Sequence, residues 1–108
     1  MTGDQIDREK NPLADINQVI HAPARLMVLI HLYVVESADY VFLMRRTGLT
    51  WGNLATHLAK LEEAGYISVK KEFRGRKPHT TISLTRQGRS AFREYKKSMQ
   101  QVLDDLPD

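Results

Sequence analysis

The sequence contains no cysteine among its 108 residues. This absence excludes a disulfide-stapled scaffold, a thiol nucleophile and any metal site built on thiolates. Long apolar runs are also missing: the longest, residues 26–35, is interrupted by His31 and is far shorter than the roughly 18 to 20 residues of a membrane span. The polar residues 1–11 do not resemble a secretory signal, so we expect a cytoplasmic protein.

Motifs of catalysis are missing as well. The four histidines have no metal-binding spacing, and the chain has neither a Gly-x-Ser-x-Gly elbow nor a phosphate-cradling glycine loop. We therefore expect no enzymatic activity, no metal and no cofactor.

Charge of one sign is concentrated in the middle of the chain. Residues 1–40 carry 3 basic and 6 acidic side chains, residues 41–98 carry 13 and 4, and residues 99–108 carry 0 and 3. A middle segment of net charge +9 between two acidic ends suggests a positive face directed at a polyanion, with nucleic acid the leading partner. Charge alone is equally compatible with a solvated Lys/Arg surface.

Apolar spacing predicts a series of helices after a loose N-terminal arm, residues 1–12. Residues 13, 16 and 20 suggest a short helix, and Pro23 suits the first turn of a second, buried one that reaches Glu36. Ser37 and Asp39 can cap a third helix over residues 40–47, which Gly48 closes.

Thr50 can cap the next helix, which runs to about residue 64 with three leucines on one face and ends at Gly65. After Gly65 the apolar period changes to two, which predicts a strand over residues 67–73. A basic turn, residues 74–79, leads to a returning strand over residues 80–84, so the two strands form a charged hairpin.

Thr85 can cap a last, long helix that reaches about Leu106. Its apolar residues follow the 3, 4, 3, 4 spacing of a short coiled-coil seam. The predicted fold class is mainly α with a small β-hairpin (α+β): a winged helix-turn-helix with a long C-terminal dimerisation helix, all in one domain over residues 13–106.

Three stretches resemble a known family. Residues 47–67 (TGLTWGNLATHLAKLEEAGYI), 73–81 (FRGRKPHTT) and 84–89 (LTRQGR) are similar to winged-helix transcriptional regulators related to the MarR and ArsR groups. The resemblance implies a homodimeric, repressor-like protein that binds double-stranded DNA, with helix 50–64 in the major groove and wing 74–79 beside it. Similar family members carry a small acidic residue where Trp51 stands, and the cysteine ligands of metal-sensing relatives are absent.

The candidate DNA contacts lie at the end of the third helix, on the arc of helix 50–64 opposite its leucines, and in the wing. They are Arg45, Arg46, Thr50, Trp51, Gly52, Asn53, Thr56, His57, Lys60, Arg74, Arg76, Lys77 and His79. Asn53 can pair with an adenine edge, Thr56 can touch a thymine methyl group or a phosphate, and Lys60 suits a phosphate.

Several of these residues have a second interpretation. Trp51 either stacks at the DNA surface or fills a gap against the preceding helix, and His57 either contacts phosphate or packs as a satisfied polar residue. Arg45 and Arg46 either bind phosphate or only face the negative end of their own helix dipole. The wing cations either bind DNA or form a solvated hairpin tip, and at most one of Lys70 and Lys71 faces the DNA.

Two apolar stripes are the candidate dimer interface: Leu13, Ile16, Ile20, Phe92, Tyr95, Met99, Val102 and Leu106. The alternative is that both stripes pack within one subunit. Nearly all residues belong to the DNA-binding fold and the dimer helix, so we expect any effector ligand to bind at the dimer interface. The competing function is a winged-helix adaptor that binds protein or RNA and lacks operator specificity.

Overall fold

The computed structural model describes residues 11–108, so the predicted arm lies outside it except for Asn11 and Pro12. The elements in chain order are α1 Pro23–Val35, β1 Ser37–Asp39, α2 Tyr40–Thr47, α3 Trp51–Glu63, β2 Ile67–Arg74, β3 Lys77–Leu84 and α4 Arg86–Asp104. The strands form one antiparallel sheet in the order β1-β3-β2. The predicted α+β winged helix-turn-helix is confirmed.

One hydrophobic core joins the helices to the sheet. Its fully buried side chains come from α1, α2, α3 and β3 and from the segment before α1: Ile20, Val28, Leu29, Leu32, Leu43, Leu54, Leu61 and Ile82. The three predicted leucines of α3, of which Leu58 is the third, all face this core. The burial of these leucines fixes which side of α3 faces the core, and the opposite side of the helix faces solvent.

The helix predicted over residues 13–20 is wrong. This segment consists of turns, because two asparagine side chains replace the helical hydrogen bonds. Asn11 Oδ1 accepts from the N–H of Leu13 at 2.9 Å, and Asn17 Oδ1 accepts from the N–H groups of Val19 and Ile20 at 3.0 and 3.2 Å. The apolar residues of this segment are nevertheless structural, because residues 16 and 20 are buried in the core.

Residues 37–39 also differ from expectation. Asp39 caps α2, as predicted, by accepting from the N–H of Phe42 at 2.8 Å. The same three residues form β1, which pairs with β3 from Ser37↔Ser83 to Asp39↔Thr81. Three residues are too few to show the alternation by which a strand is recognised, so this third strand could not be predicted from the sequence.

The wing turn is tighter than predicted. β2 and β3 pair as far as Arg74↔Lys77, so the loop is only Gly75 and Arg76, and residues 77–79 belong to β3. Gly75 has φ +65° while Arg76 stays at negative φ, which is the pattern of a type II′ turn with glycine first.

The base of the wing is held by the start of α4. Thr85 Oγ1 accepts from the N–H of Gly88 at 2.9 Å and donates to the carbonyl of Gly65 at 2.6 Å. A Cβ on Gly88 would lie 2.0 Å from the carbonyl oxygen of Tyr66, so only glycine permits this approach. The end of α3, the wing and α4 are thereby set in one arrangement. The helix α4 ends at Asp104, two residues earlier than predicted.

Candidate nucleic-acid interface

The turn between α2 and α3 sets the orientation of α3. Gly48 adopts φ +74° and its N–H donates to the carbonyl of Met44 at 2.9 Å, which ends α2. Thr50 Oγ1 accepts from the N–H of Asn53 at 3.2 Å and so caps α3. The hydroxyl of Thr50, a candidate DNA contact, is therefore occupied in positioning the helix.

The outward face of α3 carries short side chains over its first two turns and a lysine in its third, with Trp51 beside it at the start of the helix. Gly52, Asn53, Thr56 and Lys60 are exposed, as their positions opposite the leucines predict. Thr56 Oγ1 donates to the carbonyl of Gly52 at 3.0 Å, which leaves its lone pairs free to accept. Ala59 shares this face and was missed, because its methyl group gives no polar signal. The face has the width and chemistry that suit base edges in a major groove.

Trp51 is both packed and exposed. Its ring stacks on Tyr40 of α2 with centroids 4.3 Å apart and planes 24° apart, yet the residue remains 59% exposed. The packing interpretation is therefore correct for one face of the ring, while much of the ring stays open to solvent beside the start of α3. Sequence reasoning missed Tyr40 as the partner, since nothing along the chain marks an aromatic pair eleven residues apart.

His57 lies at the edge of α3 and packs against α1. Its Nδ1 is 3.3 Å from Nη1 of Arg25, whose Nε and Nη2 donate to the carbonyls of Val19 and Gln18 at 2.5 and 3.3 Å. The pKa of His57 is lowered, mainly by burial and then by the charges of Arg25 and Lys60. Because a guanidinium can only donate, Nδ1 of a neutral His57 accepts, which favours the packed interpretation.

Arg25 is a cation near this face that sequence reasoning missed. It lies two residues after Pro23 in a largely apolar helix. A single cation among apolar residues was the one feature of the sequence that could have marked it. Together with Lys60 it borders a groove floored by Val19 and Ala64.

The cations of the wing project into solvent. Arg74, Arg76 and Lys77 are exposed, whereas His79 is half-buried opposite Glu72. Lys70 lies 3.9 Å from Glu72, so part of its charge is neutralised. Lys71 is on the other face of the strand, where it lines a groove with Ala55 and Ala59 of α3. Of the two lysines, Lys71 is the one on the side of α3.

Arg45 and Arg46 end α2 and are both exposed. The guanidinium of Arg46 lies 5.0 Å from the centroid of the Phe42 ring, a cation–π contact within its own helix. Both cations also face the negative end of the helix dipole. These contacts account for Arg46 without DNA, while Arg45 is free to reach a phosphate.

The predicted dimer residues separate into two groups. Ile16, Ile20 and Tyr95 are buried in the core of their own subunit, so for these three the alternative of packing within one subunit is correct. Leu13, Phe92, Met99 and Val102 are half-buried at its edge, and Leu106 is 60% exposed. Leu103, which the 3, 4 spacing omitted, is 59% exposed beside them.

Comparison with known proteins identifies the family. A family model described as a winged helix DNA-binding domain matches residues 24–103. The chain belongs to this family. An uncharacterised protein of Methanocaldococcus jannaschii is 36% identical over 78 residues, which are 72% of this chain and 85% of the relative.

Solved structures share the whole fold. A transcriptional regulator homologue from Pyrococcus horikoshii superposes with a TM-score of 0.80 at 26% identity, over 94% of this chain and all of that one. A MarR-family regulator from Porphyromonas gingivalis, described as putative, gives a TM-score of 0.66 at 20% identity over 94% and 99% of the two chains. The fold of this chain is thus shared with a transcriptional regulator homologue and with a MarR-family protein. Among residues 11–108, none of the helices has the length and the hydropathy of a transmembrane segment.

Proposed function

We propose that this winged-helix protein is a homodimeric, sequence-specific regulator of transcription that binds double-stranded DNA and represses by occluding a promoter. α3 enters the major groove with its outward face, and the wing lies on the flanking DNA. The observation that carries the proposal is the pairing of this small, polar face with an exposed, cationic hairpin set beside it.

The chemistry of α3 suits sequence readout. Asn53 can donate to and accept from the adenine edge in the major groove, and the methyl group of Thr56 can meet that of thymine. Gly52 and Ala59 have no side chain beyond a methyl group, so the backbone of the helix can approach the bases closely. Glu62 and Glu63 end the helix with two negative charges, which keep the contact with DNA to the residues before them.

A structural relative supports the same mode of binding. The protein AbfR, solved in its reduced state bound to DNA, superposes with a TM-score of 0.65 over 77% of this chain and 57% of its own. At 19% identity this likeness shows the fold alone. The proposal is supported to the extent that a protein with this fold has been solved bound to DNA.

The dimer is proposed from α4. Its second half carries Met99, Val102 and Leu103 at the edge of the subunit, and Leu106 follows two residues after the helix ends. An exposed apolar stripe of this kind is typical of an interface. A single helix-turn-helix also makes too few base contacts for useful specificity. Two α3 helices related by a two-fold axis bind half-sites about 34 Å apart, or one helical turn.

Selection of bound sequences from a random duplex pool tests the function, with the mass of the protein in solution measured in parallel. We expect enrichment of a two-fold symmetric motif and the mass of a dimer. If no sequence is enriched and single-stranded RNA or a protein competes equally well, the protein is an adaptor instead. A promoter carrying the recovered motif then tests repression, because an activator raises transcription from it.

A further inference from the structure

The outer half of the wing carries an aromatic ring that the contacts above do not use. Phe73 is 75% exposed, and every residue from 70 to 78 is exposed with it. A phenylalanine in water forgoes the stabilisation that burial gives, and large apolar side chains at the end of a projecting hairpin commonly mark a binding surface.

The strand register gives this ring an apolar neighbour. Phe73 pairs with Pro78, directly before the closing pair Arg74↔Lys77. A two-residue loop is closed by a hydrogen-bonded pair, so the next pair is a non-hydrogen-bonded one, in which the side chains lie close together. Proline costs no ladder hydrogen bond there. Phe73 and Pro78 thus form an apolar ridge near the tip of the wing.

The ridge is on the side of the wing where α3 lies. Side chains alternate along a strand, so Phe73 shares a face with Lys71 and Val69. Val69 and Lys71 line one groove with Ala55 and Ala59 of α3. The ridge therefore continues the face that α3 occupies, and DNA bound to α3 lies on the same side.

The charges around the ridge indicate what covers it. Lys71, Arg74, Arg76 and Lys77 flank it, while the one acidic residue of this stretch, Glu72, pairs with Lys70. An apolar side chain among cations complements a DNA minor groove, where sugars and base edges lie between two rows of phosphates. A protein partner would need an apolar pocket with an acidic rim, and that is the competing occupant.

We propose that Phe73 is a minor-groove wedge, which opens one base step in the DNA beside the site read by α3. Pro78 supports the ring from the neighbouring strand. The wing then contributes specificity through the ease with which that step unstacks, and flexible pyrimidine–purine steps are favoured there. This inference rests on the proposed function.

The experiment uses the full chain and the duplex recovered by selection, with 2-aminopurine placed in turn at each flanking position. We expect the wild-type protein to raise the fluorescence at one step. Phe73→Ala abolishes this rise and weakens binding about tenfold, with the salt dependence unchanged. Phe73→Leu retains most of both effects. The matched variant Arg76→Ala, three residues along the chain, keeps the rise at saturation but lowers the salt slope by about one.

Two results overturn the wedge while leaving the regulator intact: specific binding by Phe73→Ala equal to wild type, or weaker binding with the fluorescence rise retained. If the wild-type protein binds no duplex specifically, the proposed function is wrong, and the wedge is wrong with it. Because the ring is exposed, Phe73→Ala is expected to unfold at the wild-type temperature, which shows that a loss of binding is not a loss of fold.

Discussion

The helices α3 and α4 both carry an apolar stripe, but only one stripe is fully covered. In α3 the three leucines Leu54, Leu58 and Leu61 are buried within the subunit. In α4 Tyr95 reaches the core, whereas Leu103, and Leu106 just after the helix, are more than half exposed. A covered stripe fixes a helix and leaves its other face for a ligand, while an uncovered stripe is itself a surface for a partner.

This difference fits the two tasks that the proposed function gives to these helices. The outward face of α3 holds short polar side chains, which suits a ligand read by hydrogen bonds. The outward stripe of α4 holds aliphatic side chains, which suits a surface of the same composition, such as a second copy of α4. Stability, assembly and base readout should therefore respond to separate substitutions.

The largest effect is expected from the covered stripe. Leu54→Ala removes a fully buried side chain from the contact between α3 and the core, so it should lower the free energy of unfolding by about 2 to 5 kcal/mol. Urea unfolding measures this loss. Lys60→Ala, on the exposed side of the same helix, is the control and should change stability by less than about 0.5 kcal/mol. Similar losses in both variants would contradict the separation of the two faces.

A smaller effect on assembly is expected from the uncovered stripe. The double variant Leu103→Ser, Leu106→Ser should weaken the proposed dimer by about 3 kcal/mol, or a factor of about 100 in its dissociation constant. The free energy of unfolding, measured at protein concentrations too low for the dimer to form, should hardly change, because both side chains are exposed in the subunit. Sedimentation over a range of concentrations measures the dissociation constant.

The control for assembly is Gln101→Ser, on the opposite face of α4. It introduces the same residue into the same helix and should leave the dissociation constant unchanged. A dimer equally stable in all three proteins would place the interface elsewhere, and a monomeric wild type would remove the dimer from the proposal.

The sequence predicted those elements whose signals are local. The caps Asp39, Thr50 and Thr85, and the change of period after Gly65, gave α2, α3, β2 and α4 nearly to the residue. The segment before α1 was mistaken for a helix because its apolar spacing is helical, while Asn11 and Asn17 divert its backbone into turns. Side-chain hydrogen bonds of this kind compete with the backbone hydrogen bonds of a helix, and they do not change the apolar periodicity from which a helix is predicted.

The outward residues of α3 could be predicted in the same way, because they follow from the positions of its leucines. Their partners could not, since contacts such as Arg25 with His57 and Tyr40 with Trp51 join different elements. The burial of Ile16 and Ile20 was likewise hidden, because an apolar stripe looks the same whether its own subunit or a second one covers it.

A specific effect on readout is expected at Asn53. Asn53→Ala should cost about 1 to 3 kcal/mol at one base pair of the recovered motif and leave binding to unrelated duplex nearly intact. The reason is that Asn53 is exposed on α3, where the proposal pairs it with a base edge rather than with a phosphate. Titration of duplexes with single substitutions measures the change. Lys60→Ala should instead weaken every duplex alike, and the same uniform loss in Asn53→Ala would mean that Asn53 only positions the helix.

The smallest effect concerns the edge of α3 that faces α1. Burial, then Arg25 and Lys60, lower the pKa of His57 in the folded protein. In the unfolded chain, the pKa of this histidine is about 6.5. Between the folded and the unfolded pKa, the unfolded chain therefore binds more protons than the folded protein. Stability should therefore be complete above about pH 6.5 and fall as the pH drops from there toward the lower, folded pKa. Urea unfolding of wild type and His57→Gln from about pH 7.5 to 5 isolates this group, since the other histidines are common to both. The variant should lose less stability on acidification, and an identical decline in both proteins would mean that His57 is as free to protonate in the fold as in the unfolded chain.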